Sequence, residues 1–292
     1  NMYKLVAIDL DGTMLNKYGI ITEKTKEIIS KVQEKNVEVM IASGRAITSV
    51  KRFAKEIKSK KYFISGNGAI TYDVENNKIL YENILKKQKA LQIIKICEEN
   101  SIYYNIYTEN GIIAKNLNYN TLYYYKDNLT KPDENRTHIN LVEDIYNYID
   151  EKDEKILKIM ICDEHKSVFN AIVRRLKEIS EIEVLEVSHM SRKIIKQGTE
   201  EIALEYFYTE VSAKDVDKWN ALEEVIKLMN ISKEEVITIG DNANDVKMIK
   251  NAGLGIAMGE SAPYVKKCAD KITLNNDEDG VAVALKEIFE IN

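Results

Sequence analysis

Leu5-Val6-Ala7-Ile8-Asp9-Leu10-Asp11-Gly12-Thr13 sets the frame for the whole chain. Four apolar residues in a row, with no polar alternation, read as a strand buried on both faces, which is the habit of parallel sheets. Two carboxylates then stand at its C-terminal end, where open α/β sheets bind ligands. Far along the chain the pattern returns: Val236-Ile237-Thr238-Ile239 runs into Gly240-Asp241-Asn242-Ala243-Asn244-Asp245. Side by side, the two segments would gather carboxylates that have little reason to meet unless a cation sits among them. The pair therefore points to metal-assisted chemistry on a phosphorylated molecule.

Outward from these anchors, apolar runs alternate with helical periodicity. Thr22 caps a helix through about Glu34, Val37–Ala42 is the next strand, and Val50, Phe53, Ala54 and Ile57 recur at helix spacing. Tyr62–Ile64 leads into Ser65-Gly66-Asn67-Gly68-Ala69. This βαβαβ rhythm predicts an α/β fold with a doubly wound, Rossmann-like parallel sheet. The character changes after residue 84: residues 85–211 hold most of the 17 tyrosines, all three histidines and the first of the two prolines. Helical patterns at 86–99 and 166–179 and strand patterns at 102–107 and 182–187 predict a second α/β unit. From Lys218 the first rhythm resumes. The expected organisation is a core domain of residues 1–84 and 212–292, with an α/β cap domain inserted at 85–211.

Composition excludes several classes of function. The net charge of −5 and the scattered lysines leave no footprint for nucleic acid. No apolar run approaches the roughly 18 residues of a membrane helix. Cys97, Cys162 and Cys268 have no metal-ligand spacing, and neither do His138, His165 and His189, so none is read as a ligand. An odd, sparse set of cysteines with no leader predicts a reducing cytoplasm. The tyrosines, Tyr123-Tyr124-Tyr125 among them, are read as core.

Each motif has a plain structural reading beside the chemical one. Asp-x-Asp-Gly is ordinary turn chemistry; it is also a way to give two carboxylates different environments, one as nucleophile and one as proton donor. Spacing alone does not say which is which. Ser43-Gly44-Arg45 closes a strand and opens a helix, so Ser43 is a helix cap, an anion site, or both. Lys218 heads a helix, where its charge opposes the dipole; a bound phosphate would reverse that penalty. Lys214 competes for the role. In the second acidic segment Asp241 suits a magnesium ligand, Asn244 a donor to a phosphate oxygen or to a neighbouring loop, and Asp245 a partner for Lys218.

Taken in order, DLDGT at 9–13, ASGR at 42–45, GNGA at 66–69, Lys218, GDNAND at 240–245, AMG at 257–259 and DGV at 279–281 resemble the haloacid dehalogenase (HAD) superfamily, most closely its Cof-like phosphatases of subfamily IIB. The resemblance implies that Asp9 attacks phosphorus to form an aspartyl-phosphate, and that Asp11 protonates the leaving oxygen and then activates water. It implies Mg2+ held by Asp9, Asp241 and the backbone carbonyl of Asp11. Ser43, Gly44, Lys218 and Asn244 would hold the phosphoryl oxygens, with Asp245 supporting from behind. Arg45 and Asn67 are assigned to the leaving group or phosphate. The expected substrate is a small phosphorylated metabolite, a sugar phosphate above all. The alternatives are a phosphomutase of the same superfamily and a phosphoacceptor module without turnover; oligomeric state is left open.

The chain departs from the family pattern in three places. Trp219 follows the motif lysine where glycine is usual, and an indole there is expected to narrow the pocket or pack under the cap. Glu260 stands in a loop expected near the site, and Tyr208–Asp217 is unusually acidic.

Overall fold

The structure is a computed structural model that describes residues 2–185 and 191–292. His189 and the end of the strand expected at 182–187 lie outside the described residues. The chain forms two compact units. One comprises Asn1–Arg45, Val50–Tyr81 and Asp217–Asn292; the other comprises Glu82–Val216 with Ala46–Ser49.

The first unit is built on a five-stranded parallel sheet in the order Lys271–Ile272, Leu254–Ala257, Val236–Gly240, Leu5–Ile8, Glu38–Ile41. The doubly wound parallel sheet expected from the apolar runs is what forms. Leu5–Ile8 lies at its centre and every one of its residues is buried, which is why the segment carries no polar position. The register pairs Ile8 with Ile239 on one side and Ile41 on the other. Residues that follow these three strands therefore emerge at one edge, although Ile8 and Ile239 lie 231 positions apart in sequence. A parallel bridge from Ala42 to Ile64 links this sheet to a three-stranded one, Tyr62–Ser65, Ile70–Asp73 and Lys78–Glu82.

Helix Glu23–Gln33 starts where Thr22 accepts the Thr25 N–H, as its cap signal requires. Helix Lys218–Leu228 packs Leu222 and Val225 against Leu5, Ala7, Met40 and Ile64. Trp219 is 6% exposed and joins that same cluster, so its indole fills the core beneath the strands and does not narrow a pocket. Glu260 is exposed. Helix Ile47–Glu56 starts four residues past Ser43, so Ser43 does not cap it. Its hydroxyl instead accepts the Arg45 N–H and closes a tight local turn.

The second unit has a seven-stranded, mostly antiparallel sheet in the order Ile182–Val184, Glu200–Ala213, Ile156–Asp163, Tyr103–Thr108, Gly111–Ala114, Ile139–Leu141, with Ser191–Gln197 paired to the first half of Glu200–Ala213. One face is apolar: Ile106, Ile159, Ile161 and Val211 pack on Ile93, Ile94, Ile145 and Ile172. The alternate positions Asn105, Lys158 and Glu210 are buried and polar, and Lys158 pairs with Glu210 at 2.7 Å. Tyr123 and Tyr124 are buried as expected of core residues, while Tyr125 is exposed. The three cysteines are free thiols. Among the described residues, no helix is long and apolar enough to cross a membrane.

Candidate active site

The backbone turns sharply after Asp9. Asp11 keeps extended angles, Gly12 takes φ of 76°, and the chain folds back so that the Met14 N–H reaches the Asp9 carbonyl. The break sends the two carboxylates apart. Asp9 is buried, whereas the Asp11 side chain keeps about a third of its surface exposed. Gly12 is needed for a second reason: a Cβ there would stand 2.3 Å from Asp241 Oδ2. The two acidic segments therefore meet, with glycine as the spacer.

At the centre lies Lys218, fully buried. Its Nζ donates to Asp9 Oδ1 and to Asp245 Oδ1, each at 2.7 Å. Burial alone would lower the pKa of this ammonium; the charges of Asp245 and Asp9 more than offset it and hold it raised. The N-terminal dipole that made a lysine here unexpected is answered by these carboxylates and by Asp217, whose side chain caps the helix at the Asn220 N–H. Lys214 is exposed and takes no part.

Asp245 spends its other oxygen on the backbone N–H groups of Asp241 and Asn242, at 2.9 and 3.2 Å. Gly240 makes that loop possible, because a Cβ would collide with the Asp245 side chain. Asp241 accepts a hydrogen bond from Thr13 at 2.8 Å. Thr13 carries no assigned role in the motif reading, although its place directly after the Asp-x-Asp-Gly turn is the signal that would have marked it. Carboxylate oxygens of Asp9, Asp241 and Asp245 lie within 4.8 Å of one another. Loss of water, then repulsion from Asp245, raises Asp9 well above the ordinary carboxylate range; the same two causes push Asp241 up to about 7. One buried lysine does not neutralise three carboxylates.

The surplus suits a hard divalent cation. With Asp245 committed to Lys218 and two backbone N–H groups, Asp9 and Asp241 are the side chains with oxygen to give, and one or two carboxylates is the complement that Mg2+ takes.

The remaining residues of the expected set surround this cluster. Arg45 is buried and grips Asp11 with two hydrogen bonds, Nε to Oδ2 at 2.8 Å and a terminal nitrogen to Oδ1 at 2.7 Å. Such a fork holds the carboxylate as an acceptor. Ser43 is buried two positions past Ile41, at the same sheet edge as Asp9, with Gly44 beside it. Asn244 donates to Asn67 Oδ1 at 3.0 Å. Lys218 thus contacts Asp9 and Asp245 directly, Asp241 lies beside them, and Arg45 and Asn67 each engage another residue of the set.

Comparison with known proteins places the chain in a family. The family model of haloacid dehalogenase-like hydrolases matches residues 6–285. Phosphatase YwpJ of Bacillus subtilis is 28% identical over 303 residues, which span 98% of this chain and all of that protein. The 5-amino-6-(5-phospho-D-ribitylamino)uracil phosphatase YcsE of the same organism is 26% identical over 283 residues, 97% of this chain and 94% of its own. The crystal structure of a haloacid dehalogenase-like hydrolase from Bacteroides thetaiotaomicron superposes with a TM-score of 0.76 at 27% identity, covering 98% of this chain and 100% of the other. The chain belongs to the haloacid dehalogenase-like hydrolases.

Proposed function

We propose that this hydrolase is a Mg2+-dependent phosphatase of small phosphorylated metabolites, sugar or polyol phosphates above all, acting through an aspartyl-phosphate. The observation that carries the reading is the buried Lys218 bridging Asp9 and Asp245 beside Asp241. Relatives named phosphatases support it, and so does a relative whose named substrate is a phosphorylated ribityl compound.

Lys218 holds Asp9 Oδ1, the oxygen that would also face the cation, and leaves the second oxygen as the nucleophile. It forms the O–P bond as the bond from phosphorus to the leaving oxygen breaks, and Asp11 gives that oxygen a proton. Asp11, now ionised, takes a proton from the water that cleaves the aspartyl-phosphate. The Arg45 fork matches that ionised state, and delivery of the proton in the first half requires release from the fork. Lys218, Asn244, the Ser43 hydroxyl and the Gly44 backbone hold the phosphoryl oxygens. Asp9, Asp241 and the carbonyl of Asp11 would hold Mg2+, which when bound neutralises charge on the phosphoryl group. The test is phosphate release from a metabolite panel with and without Mg2+. Release only with Mg2+ supports the proposal; isomerised phosphate esters in place of free phosphate would make the protein a mutase.

A stability measurement tests the metal site without turnover. The Asp241 pKa is raised from an unfolded value of 3.8 to about 7. Within that window the folded chain keeps a proton that the unfolded chain has lost, so metal-free stability falls as pH rises through it. Mg2+ binds the ionised carboxylates and must displace those protons. The rise in melting temperature on replacing EDTA with Mg2+ should therefore be clearly larger at about pH 8 than at about pH 5.5. A shift of equal size at both, or none at either, would remove Asp9 and Asp241 as ligands.

A further inference from the structure

Three successive residues, Gly66, Asn67 and Gly68, have φ of 59°, 58° and 108°. All three lie in the region that favours glycine, yet the middle one is asparagine and is buried. The loop they form touches three other loops. The Gly66 N–H donates to the Arg45 carbonyl and the Asn67 N–H to the Ser43 carbonyl, each at 3.0 Å. A Cβ on Gly68 would stand 2.3 Å from the carbonyl oxygen of Asp217, the residue that caps the Lys218 helix. The Asn67 side chain accepts from Asn244 Nδ2 at 3.0 Å. If the backbone path were the only requirement, a third glycine would follow it at lower strain. Asparagine is the side chain that tolerates this conformation best after glycine, and here its amide also engages Asn244.

We propose that Asn67 is a positioning residue for Asn244, which rests on the reading of Asn244 as a phosphoryl ligand. An amide nitrogen carries two hydrogens. Asn67 takes one of them, which fixes which end of the Asn244 amide is the donor and leaves the second hydrogen for a phosphoryl oxygen. Without Asn67 the Asn244 amide loses the contact that sets its orientation, and its oxygen can turn toward the anion. The substrate-facing role expected for Asn67 itself is replaced by an indirect one.

The experiment is a cycle of Asn67→Gly, Asn244→Ala and the double variant. It uses Mg2+-dependent kcat/KM on a phosphate ester that the wild type hydrolyses, inhibition by inorganic phosphate, and melting temperature. Asn67→Gly should lower kcat/KM about tenfold and weaken phosphate inhibition by a similar factor, with an unchanged melting temperature. The double variant should be no worse than Asn244→Ala alone. Losses that multiply in the double variant would place Asn67 on the substrate and overturn the proposal, as would a fully active Asn67→Gly. If Asn67→Gly melts more than a few degrees lower, Asn67→Asp decides: it tolerates the turn and keeps an accepting oxygen, so its activity should exceed that of Asn67→Gly, and equal activity overturns the proposal. A wild type that releases no phosphate from any ester would instead defeat the phosphatase reading, and this inference with it.

Discussion

Asp9→Asn is expected to abolish turnover and to raise the melting temperature of the metal-free protein. The loss follows from the nucleophile: an amide oxygen cannot form the acyl-phosphate, and kcat should fall about a thousandfold or more. The gain follows from the electrostatics. Asp9 is buried beside Asp245 and Asp241, and burial and repulsion together outweigh the attraction of Lys218, so its pKa is raised. A carboxylate with a raised folded pKa destabilises the fold above that pKa and not below the unfolded one. An asparagine removes that cost, while its oxygen can still accept the Lys218 N–H. The variant should melt a few degrees higher than wild type at about pH 8 in EDTA, with the difference shrinking as the pH is lowered toward 4. Thermal melts across pH, paired with phosphate release, read both effects. Retained turnover would end the nucleophile assignment. A lower melting temperature at high pH would mean that the Lys218 contact outweighs the repulsion.

This trade of stability for a reactive site explains which parts of the molecule are legible in sequence. Leu5–Ile8 and Val236–Gly240 are buried on both faces, so their strings of apolar residues announce strands. The charged groups that follow are conspicuous because nothing in a turn requires so many. Asp9, Lys218, Asp241 and Asp245 were readable for that reason. Two contacts were not. The Arg45 fork on Asp11 depends on a long side chain crossing between loops, and the Asn67 contact to Asn244 depends on a left-handed turn; neither leaves a periodic trace. In the second unit, Ile156–Asp163 is buried almost throughout yet carries Lys158, which breaks the apolar run. The hairpin of Ser191–Gln197 with Glu200–Ala213 sets Arg192, Lys193 and Lys196 on one strand and Glu200, Glu201 and Glu205 on the other, and so dense a run of charge resembles a solvated helix or loop. Trp219 misled for a related reason. Its neighbour faces the acidic cluster, but one position along a helix turns a side chain by about 100°, from the cluster into the core.

Lys218→Met should have the largest effect on the fold. The side chains are close in length, so the change removes a charge more than a volume. Asp9 and Asp245 each lose a contact of 2.7 Å to Nζ, in a place where the side-chain exposures of all three residues are between 0% and 7%. Breaking a buried ion pair by deleting one partner costs about 3–5 kcal/mol, because the other charge is left without compensation. Here two charges are left, beside a third on Asp241. That cost is a large share of the 5–15 kcal/mol that holds a typical protein folded, so the urea midpoint at about pH 8 should drop severely. Protonation relieves the repulsion. Asp9 and Asp241 already hold protons to higher pH in the folded chain than in the unfolded one, so the deficit should contract as the pH falls through their raised pKa values. The uncompensated carboxylate charge suits Mg2+ better still, and Asp245 keeps its bonds to the Asp241 and Asn242 N–H groups, so the Mg2+-dependent rise in melting temperature should persist in the variant. Turnover should fall by a factor of about 100 to 1,000, the usual effect of deleting a charge that stabilises a transferring group. Urea titrations of wild type and variant at the two pH values make the decision. A midpoint equal to wild type at the higher pH would show that the carboxylates do not carry their charges together, and the case for a cation between Asp9 and Asp241 would go with it.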